Sequence, residues 1–211
     1  AVKKDIETCK EQEVTNIVGI DVGMNFIATA IDSSDKMLFI GGRHMKNTKA
    51  EYKRTRKSLQ LRQTSSARRR LKKIGDRENR WQQDLNHKAA KALVNFAGKN
   101  SLIVIEDLTG IRSATEKVIR KNRSYSVSWA FLDLRNKIEY KAKLAGIQTI
   151  AVDPKYTSQQ CPVCGHTEKT NRDKKAHRFC CKSCGYQSND DRIGTINLQQ
   201  NGIEYRHAVS S

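Results

Sequence analysis

An α/β fold is predicted for this chain: a mixed sheet flanked by helices, with a small metal-binding unit inserted before the last helix. Three observations predict it. Short apolar runs alternate with long helical patterns, the signature of a sheet covered by helices. One run, Leu102–Ile105, is apolar throughout, as a parallel strand buried on both faces must be. Two C-x-x-C-G knuckles stand near the C-terminal end. The 211 residues suffice for a core of their own. A hydrophobic share of 37%, a charged share of 29% and only 2 Pro exclude a disordered or collagen-like chain. No apolar run approaches the roughly 18 residues of a membrane span and no signal-peptide core is visible, so neither secretion nor a membrane partner is expected.

In chain order, residues 1–15 are polar and weakly patterned. Ile17 to Ile31 reads as strand, tight turn, strand, and Met37–Ile40 as a third short strand after the turn Asp32-Ser33-Ser34-Asp35. Basic helices fill about 43–80. Trp81, Leu85, Ala89, Leu93 and Phe96 then recur at helical spacing, marking a core-facing helix that ends near Gly98. Leu102–Ile105 is the buried strand, closed by Glu106. Trp129, Leu132, Ile138, Ala142 and Ala145 outline a further helix stopped by Gly146. Ile147–Val152 is a strand stopped by Asp153-Pro154. The Cys-rich unit follows, and residues 190–200 form a last helix with Ile193, Ile196 and Leu198 available for the core. The expected organisation is a core over 1–160 with its basic helical insertion, the Cys-rich unit over 161–186, and the last core helix and tail over 187–211.

Net charge is +18, with a pI near 9.8, which points to a polyanionic partner, most often nucleic acid. The excess is concentrated. Arg43–Arg80 carries fifteen basic residues against Glu51, Asp76 and Glu78, a surplus of twelve. Arg68-Arg69-Arg70 and Lys72-Lys73 put cations around most of a helix, unlike a core-packing helix. Candidate phosphate contacts are Arg54, Arg56, Lys57, Arg68, Arg69, Arg70, Lys72 and Lys73. A second stretch reads as a mobile loop and adds Arg112, Arg120, Lys121 and Arg123. The bland alternative for both stretches is a solvated face.

Of six cysteines, Cys9 stands alone. Cys161 and Cys164 form one knuckle, Cys181 and Cys184 the other, with sixteen residues between, and Cys180 is the odd one out. Four thiolates close a tetrahedral Zn²⁺ site with no open position, so this metal is expected to be structural. A disulfide or redox pair is the lesser reading. Three acids stand where chemistry uses them: Asp21 at the end of the first strand, Glu106 at the end of the buried strand, and Asp191 at the start of the last helix. An unpaired buried carboxylate is costly. Three converging carboxylates would hold hard divalent cations such as Mg²⁺ or Mn²⁺, and two such ions would cleave a phosphodiester. Structural readings stand beside this one: a turn cap for Asp21, a Lys pair for Glu106, an N-cap for Asp191. Asp107 and Asp190 are adjacent competitors. On a strand Glu106 and Asp107 face opposite sides, so one of them at most points at a common site.

The segments Gly19-Ile20-Asp21-Val22-Gly23, Ile105-Glu106-Asp107-Leu108, Asp153–Cys161, Phe179–Gly185 and Asn189–Leu198, in that order, resemble the RuvC-like nuclease region of transposon-encoded TnpB (OrfB) proteins and the related compact type V CRISPR effectors. The resemblance implies an RNase H-like (RuvC-like) fold with an inserted four-cysteine zinc ribbon. It assigns the catalytic, Mg-binding roles to Asp21, Glu106 and Asp191, the last because the family's acid lies six residues before an Asn, here Asn197. Two departures are visible. Ile193-Gly194-Thr195 stands where the family shows Asn-Ala-Ala, and the chain begins at Ala1 without the family's N-terminal RNA-gripping segment. A fragment missing its N-terminal region, one part of a split protein with a second chain, or a naturally short relative is therefore expected. The implied activity is RNA-guided, two-metal cleavage of target DNA, in the cytoplasm of a prokaryote at its nucleoid. The alternatives are a nuclease-inactive RNA/DNA-binding module (a guided repressor or transposon accessory protein) and a junction-specific nuclease needing no guide RNA.

Overall fold

The computed structural model describes residues 14–23, 25–107 and 129–210. The predicted basic loop with Arg112, Arg120, Lys121 and Arg123, the N-terminal segment and Cys9 lie outside these residues.

A five-stranded mixed sheet carries the fold, in the order β3-β2-β1-β4-β5: β1 (Asn16–Asp21), β2 (Phe26–Ile31), β3 (Met37–Gly41), β4 (Ser101–Glu106) and β5 (Gln148–Val152). β1 pairs antiparallel with β2 and parallel with β4, and β4 is parallel to β5. The uniform apolarity of β4 thus has its expected cause: this strand has neighbours on both edges and helices on both faces.

The two faces are read by alternation. Val18, Ile20, Ile103 and Ile105 point to one side. There they join Ala89, Ala90, Leu93 and Ala97 of helix α2 (Ser65–Ala97) and Leu134, Ile138 and Ala142 of α3 (Trp129–Leu144) in the main core. Ile17, Leu102 and Val104 point to the other side and meet Leu198 of α4 (Asp190–Ser210). Leu134 takes the core place expected of Leu132, which is half-buried, and Ile196 is likewise half-buried.

The basic region is a helical hairpin. α1 (Arg43–Arg62) ends at Gln63, whose φ of 51° breaks the helix, and Thr64 caps the next one by accepting from the Ala67 N–H at 3.2 Å. From there the basic and core-facing patterns, expected as separate helices, run on as the single 33-residue α2. Gly75 lies inside it with nothing within 4 Å of where its side chain would be, so it is a tolerated weak point and not a stop.

α4 lies against the sheet at unusually short range. A Cβ on Gly19 of β1 would sit 2.3 Å from the Thr195 carbonyl oxygen and 2.7 Å from the Gln199 nitrogen. One on Gly202 would meet Val104 at 2.4 Å. The helix carries buried polar side chains on two sides, Thr195 and Gln199 toward the sheet and Asn197 away from it. Gln199 Nε2 donates to the Ile17 carbonyl at 3.0 Å, the Thr195 and Thr29 hydroxyls lie 2.6 Å apart, and Asn197 Nδ2 donates to the carbonyls of Thr157 (2.6 Å) and Gln160 (2.9 Å). Because backbone opposes a Cβ at Gly19, G19A is expected to destabilise the fold by about 3 kcal/mol, near the top of the overpacking range. Urea unfolding measures it, and a midpoint equal to wild type would refute this packing.

Candidate metal centre and its surroundings

Strand register brings the first two acids together. Ile20 of β1 is paired with Ile105 of β4 in a parallel ladder. One position on, Asp21 and Glu106 end neighbouring strands on the same face, the face that α4 covers. Asp107 points the other way and is engaged by Arg135 of α3, whose Nη1 donates to its Oδ1 at 2.7 Å. Glu106 is therefore the acid that faces α4: parity leaves only one of the two on this side, and register selects Glu106.

The third acid comes from the first turn of α4. A Cβ on Gly194 would lie 2.8 Å from Asp21 Oδ2, so this helix turn rests on the Asp21 carboxylate. Asp191, at the same end, is felt by Asp21 as a like charge. Burial first, then the charges of Glu106 and Asp191, push the Asp21 carboxyl well above its ordinary range. Arg172 and the Val22 N–H oppose this. Burial also raises Glu106, against the Thr157 hydroxyl, which donates to Oε1 at 2.9 Å, and against Arg172. Asp191 is raised by burial and by Asp190, and lowered by Arg172, His177 and Lys46. Asp191 Oδ2 is buried without a hydrogen-bond partner. An orphaned buried carboxylate oxygen, beside two further carboxylates that resist ionising together, is the donor chemistry of a hard divalent cation.

Asp190 has a different task. It is buried (1% exposed) and its Oδ2 accepts from Arg172 Nε at 2.8 Å. Arg172 Nη2 also lies 3.9 Å from Asp191 Oδ1. Among the described residues two groups have ligand atoms all within 4.8 Å of one another: the four cysteines, and His177 with Asp190 and Asp191. Asp21, Glu106 and Asp191 are electrostatically coupled but do not form such a tight group.

The Cys-rich unit supplies Arg172 and His177. It contains a three-stranded antiparallel sheet, β6 (Arg172–Asp173), β7 (Arg178–Cys180) and β8 (Gln187–Asn189), in the order β6-β7-β8. Cys161 Sγ lies 3.6 Å from Cys184 Sγ, and Cys164 Sγ 3.5 Å from Cys181 Sγ. Tetrahedral ligation at about 2.3 Å per bond implies sulfurs about 3.8 Å apart, so the set fits a Zn²⁺ ion. Without a cation the thiols pull apart in acidity. The Cys184 N–H and, against the opposing effect of burial, the Ser183 N–H bring Cys181 down to about 6. Cys184, despite the Tyr186 N–H, is pushed up to about 12 by burial and the other three sulfurs. Gly165 and Gly185, with φ of 72° and 75°, turn each knuckle. Cys180 stands outside the cluster. Asn171 ties the knuckles together, donating to the Gln159 and His166 carbonyls and accepting from the Lys182 N–H. Phe179, fully buried, packs with Cys161, Cys181 and Ile193 of α4, joining this unit to the turn that carries Asp191.

Of the predicted phosphate contacts, Arg54 and Lys57 on α1 and Arg68, Arg69, Arg70, Lys72 and Lys73 on α2 are exposed. Arg56 is half-buried and pairs with Glu78, bracing α1 against α2. The sequence reading assigns Arg172, His177 and Thr157 no role at the acid centre. The motif around Thr157 was the available signal. Arg172, one of five cations between Lys169 and Arg178, carried no signal that set it apart. No helix among the described residues is long and apolar enough to cross a membrane.

The sequence profile of the OrfB_IS605 family, described as "Probable transposase", matches residues 2–111, and that of the "Cas12f1-like, TNB domain" matches 131–198. The chain is 34% identical over 200 residues to the CRISPR-associated endodeoxyribonuclease Cas12f1 of Syntrophomonas palmitatica, covering 88% of this chain and 39% of that protein. It is 29% identical over 209 residues to the putative RNA-guided DNA endonuclease InsQ of Escherichia coli K12, covering 92% and 50%. It thus spans about two fifths to one half of these relatives. A Cas12f1 structure, solved by cryo-EM in complex with sgRNA and target DNA, shares the fold at a TM-score of 0.70 and 22% identity, over 90% of this chain and 50% of that one. Since the first profile spans more than half of its residues, the chain belongs to the OrfB_IS605 family of probable transposases.

Proposed function

We propose that this chain is the nuclease portion of an RNA-guided DNA endonuclease, with a RuvC-like, RNase H-like core (1–160 and 187–211) and a zinc ribbon (161–186). The observation that carries the reading is the register of β1 and β4. It sets Asp21 beside Glu106 on the face where the first turn of α4 brings Asp191. The relatives' printed functions support it.

Asp21, Glu106 and Asp191 would hold two Mg²⁺ or Mn²⁺ ions. When bound, such ions activate a water and stabilise the leaving oxygen in phosphodiester cleavage. The chain's own residues prepare that site. The Thr157 hydroxyl fixes the Glu106 carboxylate, and Asn197 locks the Thr157 backbone to α4. Arg172, on its Asp190 support, lowers the mutual repulsion of the acids. Zn²⁺ on Cys161, Cys164, Cys181 and Cys184 would hold the ribbon that presents Arg172. The exposed cations of the α1–α2 hairpin would take phosphates of a guide–target duplex or of the displaced strand, without reading bases. Guide RNA and target DNA are the implied partners, and the reading puts the protein at a prokaryotic nucleoid.

The test is cleavage of labelled single-stranded and guide-matched double-stranded DNA with Mg²⁺, by the chain alone and with a relative's N-terminal region and guide RNA supplied. Mg²⁺-dependent cutting by wild type and at least a ~10³-fold slower rate for E106Q are expected. RNA-dependent DNA binding without cutting in any combination would instead favour the guided-repressor reading.

A further inference from the structure

Beside Asp191 lies a cleft of about 410 Å³ whose lining includes Asn25, Arg43, Lys46, Asn47, His177 and Asp191. Four separate pieces of chain meet there: the β1–β2 turn, the first turns of α1, the β6–β7 turn of the Cys-rich unit, and the junction of β8 with α4. The first three are bonded to one another. The Gly42 N–H donates to the Asn25 carbonyl at 2.7 Å, Lys46 Nζ donates to Asn25 Oδ1, and Asn25 Nδ2 lies 3.0 Å from the His177 ring nitrogens.

The polar lining is mainly of one kind. Two cations, the amides of Asn25, Asn47 and Asn189, and an imidazole face a single carboxylate, Asp191, at the edge shared with the acid centre, and Phe26 adds an apolar ring. Helix α1 begins at this wall with no side-chain cap and no acid in its first turn, so its amino end is left to favour an anion. Cations and N–H donors around a cleft of this size suit a phosphate carrying one nucleotide. A strand crossing the acid centre must also place its neighbouring phosphate within a few ångströms of it. A metal is disfavoured in the cleft by Arg43 and Lys46.

We propose that this cleft is a phosphate subsite flanking the cut, in which Arg43, Lys46 and Asn47 hold the backbone phosphate next to the scissile one on a single DNA strand. The inference rests on the nuclease reading and adds positioning residues to it. Asn25 acts through Lys46 and His177, setting both side chains.

The experiment neutralises one phosphate at a time. Oligonucleotides with a single methylphosphonate linkage on one or the other side of the mapped cut are cleaved by the wild-type, guide-loaded protein and by R43Q/K46Q. One flanking neutral linkage is expected to slow wild type about tenfold, the loss of one charge-assisted contact. R43Q/K46Q is expected to be equally slow on the all-phosphate strand and indifferent to the modification. A full methylphosphonate penalty in R43Q/K46Q, or none in wild type, overturns the subsite. R43K/K46R, which keeps both charges, should recover most of the rate, and circular dichroism checks that both variants are folded. A binding arm in Ca²⁺ separates failure of the subsite from failure of the nuclease reading. Even in a protein that cuts nothing, wild type should bind the all-phosphate strand more tightly than the methylphosphonate strand. R43Q/K46Q should bind the two alike, and equal discrimination by both proteins rejects the proposal.

Discussion

D21N is expected to abolish Mg²⁺-dependent cleavage, by about 10³-fold or more, and at the same time to raise the melting temperature of the metal-free chain. Both effects have one cause. The Asp21 carboxyl is pushed well above its ordinary value of 3.8 by burial, Glu106 and Asp191, so its ionised form is held at a cost to the fold. An amide removes that cost and with it the metal ligand. A gain on the order of 1 kcal/mol corresponds to about 2–4 °C in a chain of this size. The pH dependence follows from the same displacement. Between the unfolded value near 3.8 and the higher folded value, the folded chain binds a proton that the unfolded chain has released. The metal-free unfolding free energy therefore falls as pH rises through that window, and the fall is smaller in D21N. Mg²⁺ should raise the wild-type melting temperature at neutral pH and leave D21N nearly unmoved. Differential scanning fluorimetry across pH, with and without Mg²⁺, measures all three. A variant less stable than wild type at neutral pH, or equally stabilised by Mg²⁺, would contradict the assignment of Asp21.

Removing zinc is the second large effect. One Zn²⁺ per chain is expected by metal analysis, and C181S should lose it. The apparent binding free energy of such ions, about 10–16 kcal/mol, is folding free energy for the unit they close. The damage should reach the acid centre, although no cysteine lies in it. Phe179 packs on Ile193 two residues from Asp191, and Arg172, on β6, is bonded to Asp190. Cleavage by C181S is expected to fall on the order of 100-fold, with Mg²⁺-dependent stabilisation weakened in parallel. C180S, which changes the thiol outside the cluster, should keep both zinc and activity. Full activity in a zinc-stripped protein would separate the ribbon from the chemistry.

Much of this was legible in the amino-acid order. The all-apolar Leu102–Ile105 run announced a strand covered on both faces, and the paired knuckles announced four converging sulfurs. Strand parity alone allowed Glu106 and Asp107 only opposite faces, and register chose Glu106 as the partner of Asp21. What stayed hidden depended on partners distant in sequence. Thr195, Asn197 and Gln199 look like solvent-facing positions of α4 until the carbonyls of Ile17, Thr157 and Gln160 are seen to meet two of them. Arg172 reads as one more surface cation because its partners are eighteen and nineteen residues away, at the start of another element. The helix break fell at Gln63–Thr64 and not at Gly75, because a capping threonine decides a start while an isolated glycine only weakens a helix. Arg56 counted as a free cation until Glu78, one helix away, claimed it.

Helix α1 starts at the wall of the cleft and runs 20 residues without a break. At 1.5 Å per residue it extends about 30 Å, a length that a strand advancing 3.4 Å per nucleotide covers in about nine phosphates. Arg43 and Lys46 stand at its near end, Arg54 and Lys57 farther out. On the nuclease reading, a stiff rod of fixed length that begins beside the acid centre and is studded with cations would be a gauge. The interval between where a strand is gripped and where it is severed would then be a property of helix geometry, and so the same for every sequence.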